Sequence, residues 1–224
     1  MATDNHTIRI SAAVLLAMIL GSYLFAESAD ASSPEKVSRI NASVDIDTGR
    51  VVGDVSTING RVQINRDATA GSVDTINGSI HIESGARIAS AETVNGAIRL
   101  GRDVQVASGL ETVNGGVHTD PGCLVSVNIK TVNGKIELRD TRVGGNLRTA
   151  NGDIELRDGS VVAGDVIIRG KRSWLDRFLT FGNHRQSELE VDATSAILGD
   201  IHLYREVELR ISDDAQVGDI IRHY

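Results

Sequence analysis

The side chains best suited to chemistry in this sequence are His81, His118 and Cys123, because imidazole and thiolate are common zinc ligands. His81 and His118 occupy equivalent positions of an internal repeat, two copies apart, and Arg99 occupies the same position between them. If successive copies stack like neighbouring β-strands, the two histidines lie about 9.6 Å apart. One metal ion cannot bridge that separation within one chain, and the cation between them disfavours it further. We therefore expect a solvated face.

A second series of charged side chains recurs at the same repeat spacing and could supply acid–base groups. Its members are Asp74, Glu92, Glu111, Lys130 and Arg148. β-helix enzymes that cleave pectin carry clustered aspartates flanked by basic side chains and aromatic platforms for sugars. Here the series changes sign along its length and has no aromatic residue beside it. It predicts paired surface charges, such as Glu111 with Lys130, and not a hydrolase.

The spacing of both series comes from a short phrase, Thr-Val-Asn-Gly followed by alternating apolar residues, which is written repeatedly. The copies are TINGRVQI (57–64), TINGSIHI (75–82), TVNGAIRL (93–100), TVNGGVHT (112–119), TVNGKIEL (131–138) and TANGDIEL (149–156), with a degenerate first copy at Ile40. A fixed period of 18 or 19 residues indicates a stacked-repeat architecture, in which each unit contacts only its neighbours.

Within each unit, aliphatic residues recur every six positions, for example at Ile58, Ile64, Ala70, Ile76 and Ile82. Six residues make one short strand and a bend, so three such sides close a triangular coil. Gly and Asn at the bends tolerate left-handed backbone angles. The sequence therefore predicts an all-β, single-stranded parallel β-helix with a narrow core of stacked Val and Ile. About nine coils would make a rod roughly 45 Å long. Handedness stays open, and we favour a right-handed coil.

The six-residue period, with a small residue after each aliphatic one, resembles hexapeptide-repeat β-helix proteins. Gly159–Gly170 and Ile211–Ile220 resemble bactofilin repeats, whose triangular helix has the opposite hand. The recurrent TVNG-x-I-x-I over most of residues 40–156 resembles an adhesin-type family of exported bacterial β-helix proteins. Hexapeptide helices also include zinc-dependent carbonic anhydrases. His81, His118 and Cys123 would be a distorted version of their metal site, but the rest of that signature is absent.

The repeated asparagines could form a ligand-binding face or a structural ladder. They are Asn59, Asn77, Asn95, Asn114, Asn133 and Asn151. Asparagines stacked in register can hydrogen-bond one to the next, and each of these is followed by Gly, as a bend requires. We interpret the column as a structural amide ladder and the repeated Thr column as a β-branched stack.

The amino-terminal residues predict export. An apolar run from Ile10 to Phe25 follows Arg9, and Ala29-Asp30-Ala31 resembles a cleavage site, so residues 1–31 are interpreted as a signal peptide. The alternative is an uncleaved membrane anchor, because the run is only slightly short for a spanning helix. The net charge of −7 argues against nucleic acid as a partner. We expect a bacterial periplasmic or cell-surface protein, with residues 32–224 forming the β-helix.

Residues 171–187 interrupt the repeat and predict an insertion. Ser173 is a suitable N-cap and Gly182 a suitable helix stop, so Trp174–Phe181 is predicted to form a short helix. Its candidate interaction patch consists of Arg172, Trp174, Leu175, Arg177, Phe178, Leu179 and Phe181. The patch could cover the side of the rod, or it could contact an envelope protein, an anionic lipid or a polysaccharide.

From these observations we expect a non-enzymatic envelope protein, structural or adhesin-like, that needs no cofactor or metal. A second hypothesis is a self-assembling filament subunit like bactofilins, because the last coil, ending in Gly218–Tyr224, would leave backbone groups open for end-to-end association. A third is a carbohydrate-active or zinc-dependent β-helix enzyme.

Overall fold

The computed structural model describes residues 34–170 and 186–224. These residues form a parallel β-helix, with no helix among them. Every pairing between strands is parallel, and each strand pairs with the equivalent strands of the coils before and after it. Nine strands stack on one side, so the chain makes about nine turns. The predicted fold class is therefore correct. The predicted signal peptide and the interaction patch at 172–181 lie outside the described residues.

Each coil has three sides, which we call faces 1, 2 and 3. Face 1 contains β1 (Val37–Arg39), β3 (Val55–Asn59), the second halves of β5 (Thr69–Asn77) and β7 (Arg87–Asn95), β10 (Leu110–Asn114), β13 (Ile129–Asn133), β16 (Leu147–Thr149), β19 (Val166–Ile168), β22 (Ile201–Leu203) and β25 (Ile220–Arg222). Face 2 contains β2 (Val44–Ile46), β4 (Val62–Ile64), β6 (Ile80–Ile82), β8 (Ile98–Leu100), β11 (Val117–Thr119), β14 (Ile136–Arg139), β17 (Ile154–Arg157), β20 (Ser187–Val191) and β23 (Val207–Ile211).

Face 3 contains the first halves of β5 and β7, then β9 (Gln105–Val106), β12 (Leu124–Val125), β15 (Arg142–Val143), β18 (Val161–Val162), β21 (Ala196–Ile197) and β24 (Gln216–Val217). Because β5 and β7 run around the bend between faces 3 and 1, these two faces belong to one 16-stranded sheet. Face 2 is a separate nine-stranded sheet. No helix long and apolar enough to cross a membrane occurs in the described part of the chain.

The core on face 2 follows the predicted alternation. Ile80, Ile98, Val117, Ile136 and Ile154 are buried and lie directly above one another. On face 1 the alternation is the reverse of the prediction. The Thr of each phrase is buried and the following Val or Ile points outward. The predicted six-residue period of core residues is therefore wrong at Ile58 and Ile76, which lie on the outside.

The buried Thr column is tolerated because the hydroxyl groups from Thr57 to Thr131 find acceptors, whereas that of Thr149, at the end of the column, has none among the described residues. Thr75 Oγ1 donates to the carbonyl oxygen of Gly60, on the preceding coil, at 3.2 Å. Thr93 and Thr112 repeat the bond to Gly78 and Gly96, at 3.0 and 2.9 Å. A buried hydroxyl that lacked such a partner would cost about 1–3 kcal/mol. The inward Thr therefore ties each coil to the one beneath it.

The glycine of the phrase is required for a different reason from the predicted one. None of the Asn-Gly bends from Asn59 onward has a positive φ; left-handed angles occur elsewhere, as at Asp67, Gly85, Asp103 and Gly122. Instead, a Cβ on Gly78 would overlap the carbonyl oxygen of Gly60, and one on Gly96 would overlap that of Gly78. Glycine is used because successive coils touch backbone to backbone at this bend.

The insertion begins at one of these bends. β19 is followed by Arg169 and Gly170, and the chain enters face 2 again at Ser187, whose strand pairs with β17. Ser187 is the buried first residue of β20, so the interruption is shorter than the predicted 171–187.

We predict that Gly96→Ala destabilises the protein by about 3 kcal/mol or more, because the new methyl group meets backbone that cannot move independently. Gly49→Ala is the matched control. Gly49 has a φ of +70° but nothing within 4 Å of an added Cβ, so only the left-handed strain of about 1–2 kcal/mol applies. Urea unfolding of both variants is the measurement. Equal losses of stability would contradict the backbone-contact explanation.

Candidate interaction surface

The outer edge of face 1 carries the asparagine ladder. Nδ2 of each Asn donates to Oδ1 of the Asn on the preceding coil at 2.6–3.0 Å, in a run of six bonds from Asn41 to Asn151. Each amide from Asn59 to Asn133 thus uses one donor and one acceptor within the column, whereas Asn41 only accepts and Asn151 only donates. The side chains remain exposed, but their hydrogen-bonding groups are engaged with one another. The ladder links the coils along this edge, and its mutual hydrogen bonds leave fewer amide groups for direct ligand recognition.

The ladder ends at Asn151 with a bond from another residue type. Oδ1 of Asn151 accepts a hydrogen bond from Nη1 of Arg205 at 3.2 Å. Arg205 belongs to a coil two levels further on, and it reaches past Gly170, where an added Cβ would lie 3.1 Å from the Arg205 side chain. The guanidinium therefore replaces the missing next amide at the bend where the insertion begins.

Beside the ladder runs a column of outward aliphatic side chains, one on each coil. It consists of Ile40, Ile58, Ile76, Val94, Val113, Val132 and Ala150. Ile40 is 55% exposed, and the others are half-buried because they are flanked by their own neighbours above and below. Seven stacked aliphatic residues on the outside of a β-helix make a continuous apolar stripe, a feature typical of surfaces that contact other molecules.

At its carboxyl-terminal end the aliphatic column is continued by a cationic side chain and two aromatic rings. Arg169, Tyr204 and His223 occupy the next positions of the same column, because β19, β22 and β25 pair in register. The Arg169 guanidinium lies 5.3 Å from the centre of the Tyr204 ring, in a cation–π contact. The Tyr204 and His223 rings stack with centroids 4.3 Å apart. The outward column is thus apolar or aromatic over most of its length.

The next outward column on face 1 is the charged series predicted from the sequence. The strand register stacks Asp74, Glu92, Glu111, Lys130 and Arg148 in that order. Lys130 Nζ lies 3.3 Å from a carboxylate oxygen of Glu111, as expected. Among the described residues, Asp74, Glu92 and Arg148 form no ion pair, and Nε of Arg148 is buried without a partner. Uncompensated charge of opposite sign therefore lies at the two ends of the column.

The carboxylates at one end perturb each other. Burial, and then the charge of Glu92, raises the pKa of Asp74 to about 6, although a hydrogen bond from Ser72 opposes the shift. Burial, and then the charge of Glu111, likewise raises the pKa of Glu92. Both groups resist ionisation first because they are buried and then because like charges are stacked at strand spacing, and Lys130 only partly offsets the shift at Glu92.

The structure does not bring together His81, His118 and Cys123, the zinc-ligand candidates that the sequence disfavoured. His81, Arg99 and His118 stack on the outside of face 2 in the expected order. His118 lies 3.5 Å from both Asp120 and Glu137, so it belongs to a surface charge network. The Cys123 side chain points into the core, its Sγ donates to the Gly101 carbonyl oxygen at 3.1 Å, and burial raises the pKa of its thiol to about 11. No group of three metal-binding side chains occurs in residues 34–170 and 186–224.

Comparison with models of protein families, with curated proteins and with solved structures finds no match to this chain. The surface is therefore interpreted from its own geometry. Sequence reasoning missed the aliphatic column because it assigned those residues to the core. The signal that could have found it was present, since a strand that places Asp74 outward must also place Ile76 outward.

We predict that Asp74→Asn stabilises the protein at pH 8 by about 1–2 kcal/mol and has little effect at pH 4. The folded-state pKa of Asp74 lies above the usual value near 4. The folded state therefore loses stability as pH rises from about 4 to about 6, and the neutral amide avoids that loss. Urea unfolding at both pH values is the measurement, with Asp213→Asn in an exposed turn as the control. Destabilisation at pH 8 would contradict the prediction.

Proposed function

We propose that this chain is an exported, non-enzymatic protein of the bacterial cell envelope, in which the β-helix acts as a rigid rod and face 1 is the surface that contacts other molecules. The observation that carries the proposal is the outward aliphatic column from Ile40 to Ala150. An apolar stripe on the outside of a soluble rod is unfavourable unless something covers it, at about 25 cal/mol for each Å² of apolar surface.

Contacts between successive coils hold the stripe in place. Thr hydroxyls, glycine contacts and asparagine amides bind each coil to the next along the same edge, as at Thr93, Gly96 and Asn95. A preorganised surface loses little conformational entropy when it binds, which favours recognition by a fixed face. These features support a structural or adhesin-like role.

Support for export comes from residues 1–31, with their apolar run and Ala-x-Ala site. Support for a non-catalytic role comes from the placement of the candidate groups. His81 and His118 lie outside and Cys123 lies inside, and the charged column on face 1 forms a ladder in which Glu111 is bound to Lys130. Together with the amino-terminal pattern, these placements support a protein that holds or bridges envelope components.

We predict that a photo-crosslinking amino acid at Val94 of the full chain forms adducts in the periplasmic fraction of bacterial cells, whereas the same amino acid at Arg102 does not. Val94 lies within the aliphatic column, and Arg102 lies in an exposed turn between faces 2 and 3. Denaturing electrophoresis with mass spectrometry identifies the adducts. Equal crosslinking at both positions, or none at Val94, would count against face 1 as the contact surface.

A second candidate function, self-assembly end to end, is favoured by the state of the last coil. Val207, Leu209, Ile211, Ala215 and Val217 point inward but are only half-buried, whereas Val44 and Ile46 near the other end are buried. Half-exposed core residues beside the open edge of β23 are a suitable surface for stacking a further coil.

We predict for this candidate that Leu209→Lys abolishes any filaments that the purified mature protein forms, because a charge on the inner surface of the last coil opposes stacking. Glu208→Lys, at the adjacent outward position of β23, is the matched control and should leave filaments intact. Negative-stain electron microscopy is the measurement. Absence of filaments from the unsubstituted protein would exclude this second function.

A further inference from the structure

The charged column on face 1 is negative at one end and positive at the other, and most of these charges have no ion-pair partner within the described part of one copy of the protein. Three carboxylates, Asp74, Glu92 and Glu111, are followed along the rod by two cations, Lys130 and Arg148. Only Glu111 and Lys130, at the change of sign, are in contact with each other. The outer members remain without ion pairs among the described residues, and burial increases the cost of leaving them so.

A column that reads negative and then positive is complementary to itself when it is reversed. A two-fold axis that lies between two facing sheets and runs along the strands reverses the rod direction but keeps each column opposite its own copy. With the axis level with the gap between Glu111 and Lys130, Glu92 lies opposite Arg148 of the second copy. Glu111 then lies opposite Lys130, and both contacts occur twice by symmetry.

The same two-fold rotation also places the aliphatic column opposite its own copy. It lies beside the charged column at a constant offset, because it comes from the same strands two residues further on. Under the two-fold rotation it meets itself, with Val113 opposite Val132 and Val94 opposite Ala150. Apolar side chains therefore face apolar side chains wherever opposite charges face each other, with no change in the conformation of either rod.

We propose that face 1 binds face 1 of a second copy of this chain, so that two rods pair antiparallel about a two-fold axis between Glu111 and Lys130. This inference rests on the proposed role of face 1 as the contact surface and names its partner. A partner carrying charge of one sign would match only one half of the column, whereas a second copy pairs Glu92 and Glu111 with Arg148 and Lys130 and leaves only Asp74 opposite an apolar residue, Ile167.

The size of the face sets the strength of the association. Strands of about five residues and six stacked coils give a contact of roughly 16 by 29 Å, or about 460 Å² on each copy. The total of about 900 Å² is at the low end for specific interfaces, where association is weak and reversible. The expected dimer has a dissociation constant in the micromolar range and becomes weaker as salt screens the four charge contacts.

Sedimentation velocity of the purified mature protein, over roughly 1 to 200 µM, brackets the weak dimer expected from this area. Glu92→Arg and Arg148→Glu should each weaken dimerisation by about tenfold or more, because each places like charges opposite one another. The double variant Glu92→Arg/Arg148→Glu should restore the affinity to within about threefold of the unsubstituted protein. Arg142→Glu, exposed on face 3, is the charge-matched control and should leave the dimer unchanged.

The folding stability of the two single variants separates pairing from misfolding. Within one rod, Glu92→Arg places a cation between Asp74 and Glu111, and Arg148→Glu places a carboxylate next to Lys130. Both variants should therefore be at least as stable as the parent at low protein concentration, although they dimerise less. A structural defect would lower both quantities together.

A parent protein that is monomeric throughout this range, or single variants that dimerise as well as the parent, would overturn the two-fold pairing. In that outcome, adducts between the Val94 crosslinker and another envelope component would leave the proposed function of face 1 intact. Adducts at twice the mass of the chain, reduced by Arg148→Glu and regained in the double variant, are the result that the pairing requires.

Discussion

The structure depends on one constraint, the close contact between successive coils at the bend that follows each face 1 strand. There the carbonyl oxygen of one glycine lies against the α-carbon of the next, as between Gly78 and Gly96. No other residue fits, so the register of the coils is set by the backbone itself. The hydrogen bonds of parallel strands and the amide ladder then act at a spacing that is already fixed.

This constraint explains why the repeated phrase keeps its four residue types. From Thr57 to Thr131, Thr uses the short distance to the preceding coil to donate its hydroxyl to a bend carbonyl, so the buried polar group is hydrogen-bonded. Asn continues the contact along the edge, and Gly permits it. The remaining position, which is Val, Ile or, in the last copy, Ala, takes no part in the contact between bends. Its side chain faces outward and forms the aliphatic stripe.

The same register converts sequence periodicity into a surface with a defined pattern. Residues that are 18 or 19 positions apart become neighbours, so Asp74, Glu92 and Glu111 are stacked although nothing local in the sequence places them together. Burial, and then the stacking of like charges, raises the pKa of Asp74 and Glu92. The same register aligns the aliphatic stripe with the charge reversal. The proposed pairing of rods uses both consequences and needs no additional structural device.

The sequence by itself determined the parallel β-helix, the number of coils, the asparagine ladder and the order of the outward charges. All of these follow from the period of 18 or 19 residues, since a solenoid places equal positions above one another. Only the tertiary structure decided how face 1 can be turned with Thr inward and Val or Ile outward. A buried Thr and an exposed Ile are opposite to hydrophobic preference, and the choice depends on carbonyl acceptors such as that of Gly60, which belong to another coil. The outward charges on the same strands already implied this orientation, but the hydrogen bonds that make a buried Thr tolerable join different coils and leave no periodic signal of their own.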